Sequence, residues 1–136
     1  MAIILLRHGR VDYGTMSLNA TGTAFAEELK RVLSDRVIGR IISMAPDRCV
    51  QTVAPLAASL GTHVQTVSSV HEIIRTINES DWGGADLLVT FQYAVMSEIF
   101  SHLRITPPAT RDDAYGTIWT YDKANRSVQT IDTGLR

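Results

Sequence analysis

Residues 3–9 read Ile-Ile-Leu-Leu-Arg-His-Gly, and this stretch decides the fold prediction. Four apolar residues in an unbroken run are typical of a strand that is buried on both faces of a parallel sheet. Arg7, His8 and Gly9 follow at once, so polar groups stand where this strand ends. Ligands of open α/β sheets bind at the carboxyl ends of the strands. The stretch therefore predicts both a central strand and the beginning of a functional site.

Helix and strand patterns alternate along the rest of the chain. Apolar residues at helical spacing predict helices over residues 20–34, 47–60 and 93–103. The remaining strands are predicted over residues 37–44, 64–67, 87–90, 115–121 and 127–132. Residues 70–84 are expected to be irregular, apart from one helical turn near residues 72–75. This alternation predicts a single α/β domain over residues 1–136 with a mostly parallel sheet.

Composition excludes several classes of protein. The 136 residues are 45% apolar and 20% charged, with a formal net charge of -1 and no basic run, so we expect no nucleic-acid partner. No apolar stretch approaches the ~18 residues of a membrane span, and Arg7 interrupts the apolar start too early for a signal peptide. The single Cys49 forbids an internal disulfide and a cysteine metal cluster. We expect a cytoplasmic protein without metal or cofactor, and a homodimer is left open.

Four segments carry a family resemblance. They are Leu-Leu-Arg-His-Gly at 5–9, Leu-Asn-Ala-Thr-Gly at 18–22, Ile-Ser-Met-Ala-Pro-Asp-Arg-Cys-Val-Gln-Thr at 42–52, and Leu-Leu-Val-Thr-Phe-Gln at 87–92. Their order and spacing resemble those of the histidine phosphatase superfamily, which has the phosphoglycerate-mutase-like fold. The resemblance covers most of residues 1–103. It implies an α/β three-layer sandwich with a mostly parallel central sheet.

Arg7, His8 and Arg48 are residue types that suit phosphoryl chemistry. The guanidinium groups of Arg7 and Arg48 can clamp the non-bridging oxygens of a phosphoryl group in bidentate fashion. A neutral His8 presents a ring nitrogen that can attack phosphorus, and Gly9 lets the backbone approach the phosphate closely. The resemblance implies that this attack gives a phosphohistidine, and that Glu72 is the acid that protonates the leaving oxygen. The expected ligand is a small anionic substrate.

The fourth segment departs from the family pattern at Phe91. The family normally places a second histidine there, as one of the groups that hold the phosphate, and follows it with a small residue. Phe91 removes this donor and is expected to place an apolar ring against the anion site. Loss of one donor from such a site typically costs about 10²–10³ in rate. Gln92 can donate a neutral hydrogen bond, which is weaker than one from a charged group.

Only a short segment separates Glu72 from the fourth strand, so the helical lid of larger family members is missing and the pocket is expected to be shallow or open. Its mouth is expected to be aromatic, formed by Tyr13, Trp82, Phe91, Tyr93 and Tyr115.

Two functions stay open. One is a phosphatase-like enzyme that acts on a small phosphomonoester through His8, with reduced or altered efficiency. The other is a repurposed non-phosphatase, either a binding protein or an enzyme on a non-phosphorylated aromatic or anionic ligand, that keeps the same pocket.

Overall fold

The computed structural model describes residues 2–79 and 84–136. The strands are β1 (Ala2–Arg7), β2 (Ile38–Met44), β3 (Val64–Val67), β4 (Asp86–Phe91), β5 (Thr117–Asp122) and β6 (Ser127–Asp132). The helices are α1 (Ala20–Val32), α2 (Asp47–Leu60), α3 (Val70–Asn78) and α4 (Tyr93–Leu103), and a short 3-10 turn covers Asp112–Ala114. None of these helices is long and apolar enough to cross a membrane, in the part of the chain that is described.

The strands form one six-stranded sheet in the order β3-β2-β4-β1-β5-β6. The first four strands in that order are parallel, whereas β5 runs antiparallel to β1, and β6 runs antiparallel to β5. The prediction of an α/β fold with a mostly parallel sheet is therefore confirmed. Parallel pairing brings the carboxyl ends of β1, β2 and β4 to one edge of the sheet. This edge is where an open α/β sheet offers a binding site.

The side chains of β1 alternate between two apolar cores. Ile3 and Leu5 pack with residues of α3 and α4 on one face of the sheet. Ile4 and Leu6 pack with residues of α1 and α2 on the other face. All four side chains are fully buried, and burial of such a side chain is worth roughly 1.5–3 kcal/mol. The domain thus has three layers, and the strand that ends in Arg7 lies in the middle layer.

Residues 70–78 form a helix, so the expectation of an irregular segment is wrong there. Ser69 and Glu72 form a capping box, in which each side chain bonds the backbone N–H of the other residue. Ile73 and Ile77 lie one turn apart and are both buried in the core beneath the sheet. The capping residues and this apolar pair explain the helix. The remainder of the predicted irregular segment includes residues 80–83, which lie outside the described residues.

Two glycines allow the segment after β1 to touch α1. A Cβ atom on Gly9 would lie 2.8 Å from the Cα of Gly22, and a Cβ atom on Gly22 would lie 2.1 Å from the carbonyl oxygen of Arg10. Both distances are shorter than real Cβ contacts with backbone. Asn19 also holds this region, because its side-chain oxygen accepts the N–H of Gly22 at 2.9 Å and caps α1. The position of the backbone around residue 9 therefore requires glycine at both sites.

We predict that Gly22→Ala lowers the free energy of unfolding by at least about 2 kcal/mol, because the new Cβ must displace the Arg10 carbonyl. Urea denaturation followed by circular dichroism measures this loss. Thr23→Ala is the matched control, since Thr23 is exposed on the same helix and alanine favours helix there. Equal stability of the two variants would contradict the close approach of Gly22 to Arg10.

Candidate active site

A cavity of about 140 Å³ lies at the carboxyl edge of the sheet. Its polar lining comes from Arg7, His8, Arg48, Gln92 and Arg111, and its aromatic lining from Tyr13, Tyr93 and Tyr115. These residues come from the ends of β1 and β4, the first turns of α2 and α4, and two connecting segments. The structure thus brings together Arg7, His8, Arg48, Gln92 and Tyr13, as the sequence analysis expected.

His8 is neutral and holds its ring in one orientation. Its Nδ1 lies 2.7 Å from the carbonyl oxygen of Gly9. A carbonyl oxygen can only accept, so the proton of the neutral ring is on Nδ1 and the lone pair is on Nε2. Burial lowers the pKa of His8 to about 4; the bond to Gly9 opposes this, whereas Arg7 and Arg48 lower the pKa further. His8 therefore offers an unprotonated ring nitrogen at neutral pH.

Arg7 is held rigidly beside His8. Its Nη1 donates to the carbonyl oxygen of Arg111 at 2.9 Å, and its Nη2 donates to the hydroxyl of Tyr115 at 2.8 Å. The guanidinium carbon also lies 3.7 Å from the centroid of the Tyr115 ring. Burial lowers the pKa of Arg7, yet arginine stays charged in proteins. The Nε is buried and has no hydrogen-bond partner among the described residues.

Arg48 and Arg111 add two further guanidinium groups to the cavity. Arg48 is the second residue of α2, where the free N–H groups of a helix start favour an anion. The Arg111 guanidinium lies 5.2 Å from the centroid of the Tyr93 ring. Within residues 2–79 and 84–136, neither guanidinium makes an ion pair, and no carboxylate lines the cavity. The positive charge of this cavity is therefore not neutralised by the protein around it.

Arg111 is a site residue that the sequence analysis missed. It lies in the segment between α4 and β5, which has no apolar periodicity and no segment of the family resemblance. Its neighbours Asp112 and Asp113 pair with Arg10 and Arg136, respectively, so their charges are directed elsewhere. The contact between the Arg111 carbonyl and Arg7 fixes this segment over the cavity. Only the folded chain shows this contact, because the two residues are 104 positions apart.

Thr52 connects the first two strand-to-helix segments. Its hydroxyl oxygen accepts the N–H of Gly9 at 2.9 Å, and the hydroxyl donates to the carbonyl oxygen of Arg48 at 2.8 Å. Gln51 connects the next segment, because its side-chain oxygen accepts the N–H of Leu18 at 3.0 Å. Gln51 and Thr52 thus position the backbone around the cavity. Neither lines the cavity itself.

Phe91 lies in the core, and the expectation that its ring stands against the anion site is wrong. Its side chain is 0% exposed, packs edge-to-face on Phe100 with 6.2 Å between ring centroids, and does not line the cavity. The reason is alternation along β4: Phe91 points to the same face as Leu87 and Val89, into the core beneath the sheet. Of the other residues expected at an aromatic mouth, Trp82 lies outside the described residues.

Glu72 does not line the cavity either. One of its carboxylate oxygens accepts the backbone N–H groups of Ser68 and Ser69, at 2.9 and 3.3 Å. The carboxylate therefore caps the start of α3, a use that the resemblance did not indicate. The structure gives no contact between Glu72 and the residues that surround His8.

The described residues near His8 offer neither a thiolate nucleophile nor a metal site. Cys49 is buried next to Arg48, and burial raises the pKa of its thiol to about 12, so it is not a thiolate nucleophile at neutral pH. Among the described residues, no group of three or more His, Cys, Asp or Glu side chains could hold a metal ion. The arrangement that the structure does provide is one neutral imidazole surrounded by arginines, which suits an anion.

Solved structures of phosphatases and of a phosphoglycerate mutase share this fold. The chain is similar to the protein histidine phosphatase SixA in complex with tungstate (TM-score 0.72, 16% identity, 96% of this chain and 94% of the other). It is also similar to a mycobacterial glucosyl-3-phosphoglycerate phosphatase in complex with VO3 (TM-score 0.71, 13% identity, 96% and 97%). A third is the phosphoglycerate mutase from Plasmodium falciparum (TM-score 0.59, 18% identity, 98% and 90%). At these identities the likeness is one of fold.

The sequence itself gives the family. No curated protein matches the chain. Residues 3–86, however, match the family described as the histidine phosphatase superfamily (branch 1). The matched range is more than half of the chain, and it includes Arg7, His8 and Arg48. The chain therefore belongs to the histidine phosphatase superfamily.

Proposed function

We propose that this protein hydrolyses small phosphomonoesters, with His8 as the acceptor of the phosphoryl group. The observation that carries the proposal is the neutral His8, which has its proton on Nδ1 and its lone pair on Nε2. Arg7, Arg48 and Arg111 surround it in a cavity without a carboxylate among the described residues. The neighbours in complex with tungstate and VO3 support the choice of a phosphate-like oxyanion.

The reaction has two steps in this proposal. First, His8 Nε2 attacks phosphorus, so that a P–N bond forms while the P–O bond to the leaving group breaks. The leaving oxygen takes a proton from water, which becomes hydroxide. Second, a water molecule attacks phosphorus as the P–N bond breaks, and its proton neutralises that hydroxide. Inorganic phosphate then leaves, and the neutral imidazole is restored. The net reaction is hydrolysis of the ester to an alcohol or phenol and phosphate.

The arginines stabilise the charge on the transferred group. Arg7 and Arg48 hold the non-bridging oxygens, and guanidinium groups suit such oxygens because two N–H groups can donate to them together. Arg111 supplies a third cation at the rim, which offsets part of the donor lost where Phe91 replaces a histidine. An arginine outside the core can take this role while Phe91 keeps its place in the core.

Among the described residues, no carboxylate lines the cavity to protonate the leaving group, because Glu72 caps α3. General acid catalysis typically contributes about 10²–10⁴ in rate. We therefore expect slow hydrolysis of alkyl esters and faster hydrolysis of aryl esters, whose leaving oxygens are weakly basic. The missing acid is therefore the physical reason to expect reduced or altered activity.

A second candidate function is binding of an anionic ligand without turnover. The observations that favour it are the use of the Glu72 carboxylate as a helix cap and the core position of Phe91. Both functions require the same cationic cavity. They differ in whether His8 becomes phosphorylated.

Phosphorylation of His8 is the decisive measurement. Hydrolysis of 4-nitrophenyl phosphate should proceed with an acid-labile phosphoenzyme, and both should disappear in His8→Gln. Because the pKa of His8 is about 4 instead of the usual 6.5, kcat/KM, corrected for ionisation of the ester, should stay flat from pH 8 to 5 and fall only as the pH drops through about 4. An inflection near 6.5 would contradict the burial of a neutral His8. Anion binding without any phosphoenzyme would favour the second candidate.

Loss of an arginine should weaken anion binding directly. Arg48→Ala should raise the Kd for vanadate about ten- to a hundredfold, because a hydrogen bond to a charged group is worth about 1.5–3 kcal/mol. Arg111→Ala should raise it by less, since Arg111 is exposed. Isothermal calorimetry gives these values, with Arg75→Ala as a control for the same change in net charge at an exposed site on α3. An unchanged Kd for Arg48→Ala would contradict the proposal that Arg48 binds the anion.

Phe91→His tests where the side chain at position 91 lies. Because the Phe91 ring packs on Phe100 in the core, we expect histidine there to lower the free energy of unfolding by about 2–4 kcal/mol. Chemical denaturation of this variant should be compared with that of Phe91→Leu, which keeps the site apolar and should lose less. Full stability together with a rise in phosphatase rate would show instead that the imidazole reaches the cavity.

A further inference from the structure

A second concavity adjoins the cavity that contains His8. It has a volume of about 320 Å³ and is lined by Tyr93, Ala94, Met96, Ser97, Pro107 and Pro108. Tyr93 and Ala94 also line the cavity of His8, so the two spaces share a wall. We call this second space the α4 groove. A ligand that extends from the first space past these two residues would reach the α4 groove.

The two spaces differ in chemistry. The cavity of His8 contains three guanidinium groups, whereas the residues that line the α4 groove carry no charge. Its lining is made of an aromatic ring, a methyl group, a thioether and two proline rings, and its polar side-chain groups are the hydroxyls of Ser97 and Tyr93. Apolar surface of this kind gains free energy when it covers an apolar ligand, at roughly 25 cal/mol per Å². The α4 groove thus suits a carbon skeleton, and the cavity suits an oxyanion.

Size also favours a ligand that occupies both spaces. The cavity of about 140 Å³ accommodates a phosphoryl group and few further atoms. Sites for organic ligands typically measure about 300–1,000 Å³. The cavity of His8 is well below this range, the α4 groove of about 320 Å³ is at its lower end, and the two spaces together lie within it. Ala94, one of the two residues that line both spaces, is exposed and has only a methyl group as its side chain.

The wall between the two spaces is held in place. The guanidinium carbons of Arg7 and Arg111 each lie 5.2 Å from the centroid of the Tyr93 ring. Cation–π contacts of this kind fix the ring beside the arginines that take the phosphoryl group. Across the cavity, Tyr13 and Met16 are 72% and 42% exposed, which adds apolar surface at the same opening. A ligand with an apolar group next to its phosphate would contact these surfaces.

We infer that the substrate class is a phosphate monoester of an apolar alcohol or phenol larger than one ring, with the phosphoryl group at His8 and the apolar group in the α4 groove. The inference rests on the proposed function for the phosphoryl end alone. It disfavours sugar phosphates, because most of the α4 groove is apolar and its lining side chains offer only the hydroxyls of Ser97 and Tyr93 to the several hydroxyl groups of a sugar.

Two pairs of probes test this inference. Phenyl phosphate and 2-naphthyl phosphate have leaving groups of similar basicity, so a difference in kcat/KM reports binding of the second ring. We expect 2-naphthyl phosphate to be at least about tenfold better, because four more ring carbons are buried. Phenylphosphonate and 2-naphthylphosphonate are not hydrolysed, and their Kd values from calorimetry should differ in the same direction whether or not turnover occurs.

A matched pair of variants locates the second ring. Ser97→Gln extends a polar side chain into the α4 groove and should reduce the naphthyl-to-phenyl ratio towards one. Ser101→Gln makes the same change one turn further along α4, at an exposed residue that does not line the α4 groove, and should leave the ratio unchanged. The ratio is a sufficient readout, because a general loss of stability or activity affects both esters alike.

The outcomes separate this inference from the proposed function. Equal kcat/KM for the two esters and equal Kd for the two phosphonates would contradict binding of the apolar group in the α4 groove. The proposed role of His8 and the arginines would be unaffected. A naphthyl preference that Ser97→Gln does not reduce would also overturn it. Tighter binding of the naphthylphosphonate without hydrolysis of either ester would support binding of the second ring in the α4 groove. It would contradict the proposed phosphatase activity. Absence of phosphonate binding together with absence of hydrolysis would overturn both.

Discussion

The close approach of Gly9 to Gly22 is the constraint on which the site depends. It lets the backbone after β1 lie directly on α1, and the N–H of Gly9 then reaches the hydroxyl of Thr52 in the second turn of α2. Thr52 in turn donates to the carbonyl of Arg48. One backbone contact and two hydrogen bonds therefore set the distance between two strand-to-helix segments. His8 and Arg48 come to the same cavity because these segments are tied together.

The electrostatics of the cavity follow from that placement. Three guanidinium groups stand around a buried imidazole, and no carboxylate among the described residues lines the same space. Removal from water makes a positive charge on His8 costly, and the neighbouring arginines add to the cost, so its pKa falls to about 4. Burial is the main reason that His8 stays neutral, and the arginines that lower its pKa further also attract an anion. Burial and the arrangement of charge together produce the nucleophile and the binding site.

Phe91, at the end of β4, belongs to the core, whereas Arg111 belongs to the cavity. Phe91 contributes a large buried ring to the core and gives no donor to the cavity. Arg111 comes from a segment outside the sheet and reaches the cavity from the rim, where its charge needs no place in the core. The Tyr93 ring lies between the arginines and the α4 groove, so the polar and apolar parts of the proposed substrate meet at this residue.

The sequence by itself determined the alternation of strands and helices, because apolar runs and helical spacing are local properties. It also indicated that Arg7, His8, Arg48 and Gln92 are site residues, since residues that follow parallel strands meet at one edge of the sheet. The helix over residues 70–78 has a sequence signal in its capping box, but its apolar pattern is too short to predict more than one turn. Tertiary structure alone decided that Phe91 faces the core, that Glu72 caps a helix and that Arg111 reaches the cavity. Those outcomes depend on which face of a strand is buried and on contacts between distant residues, and neither is encoded in local spacing.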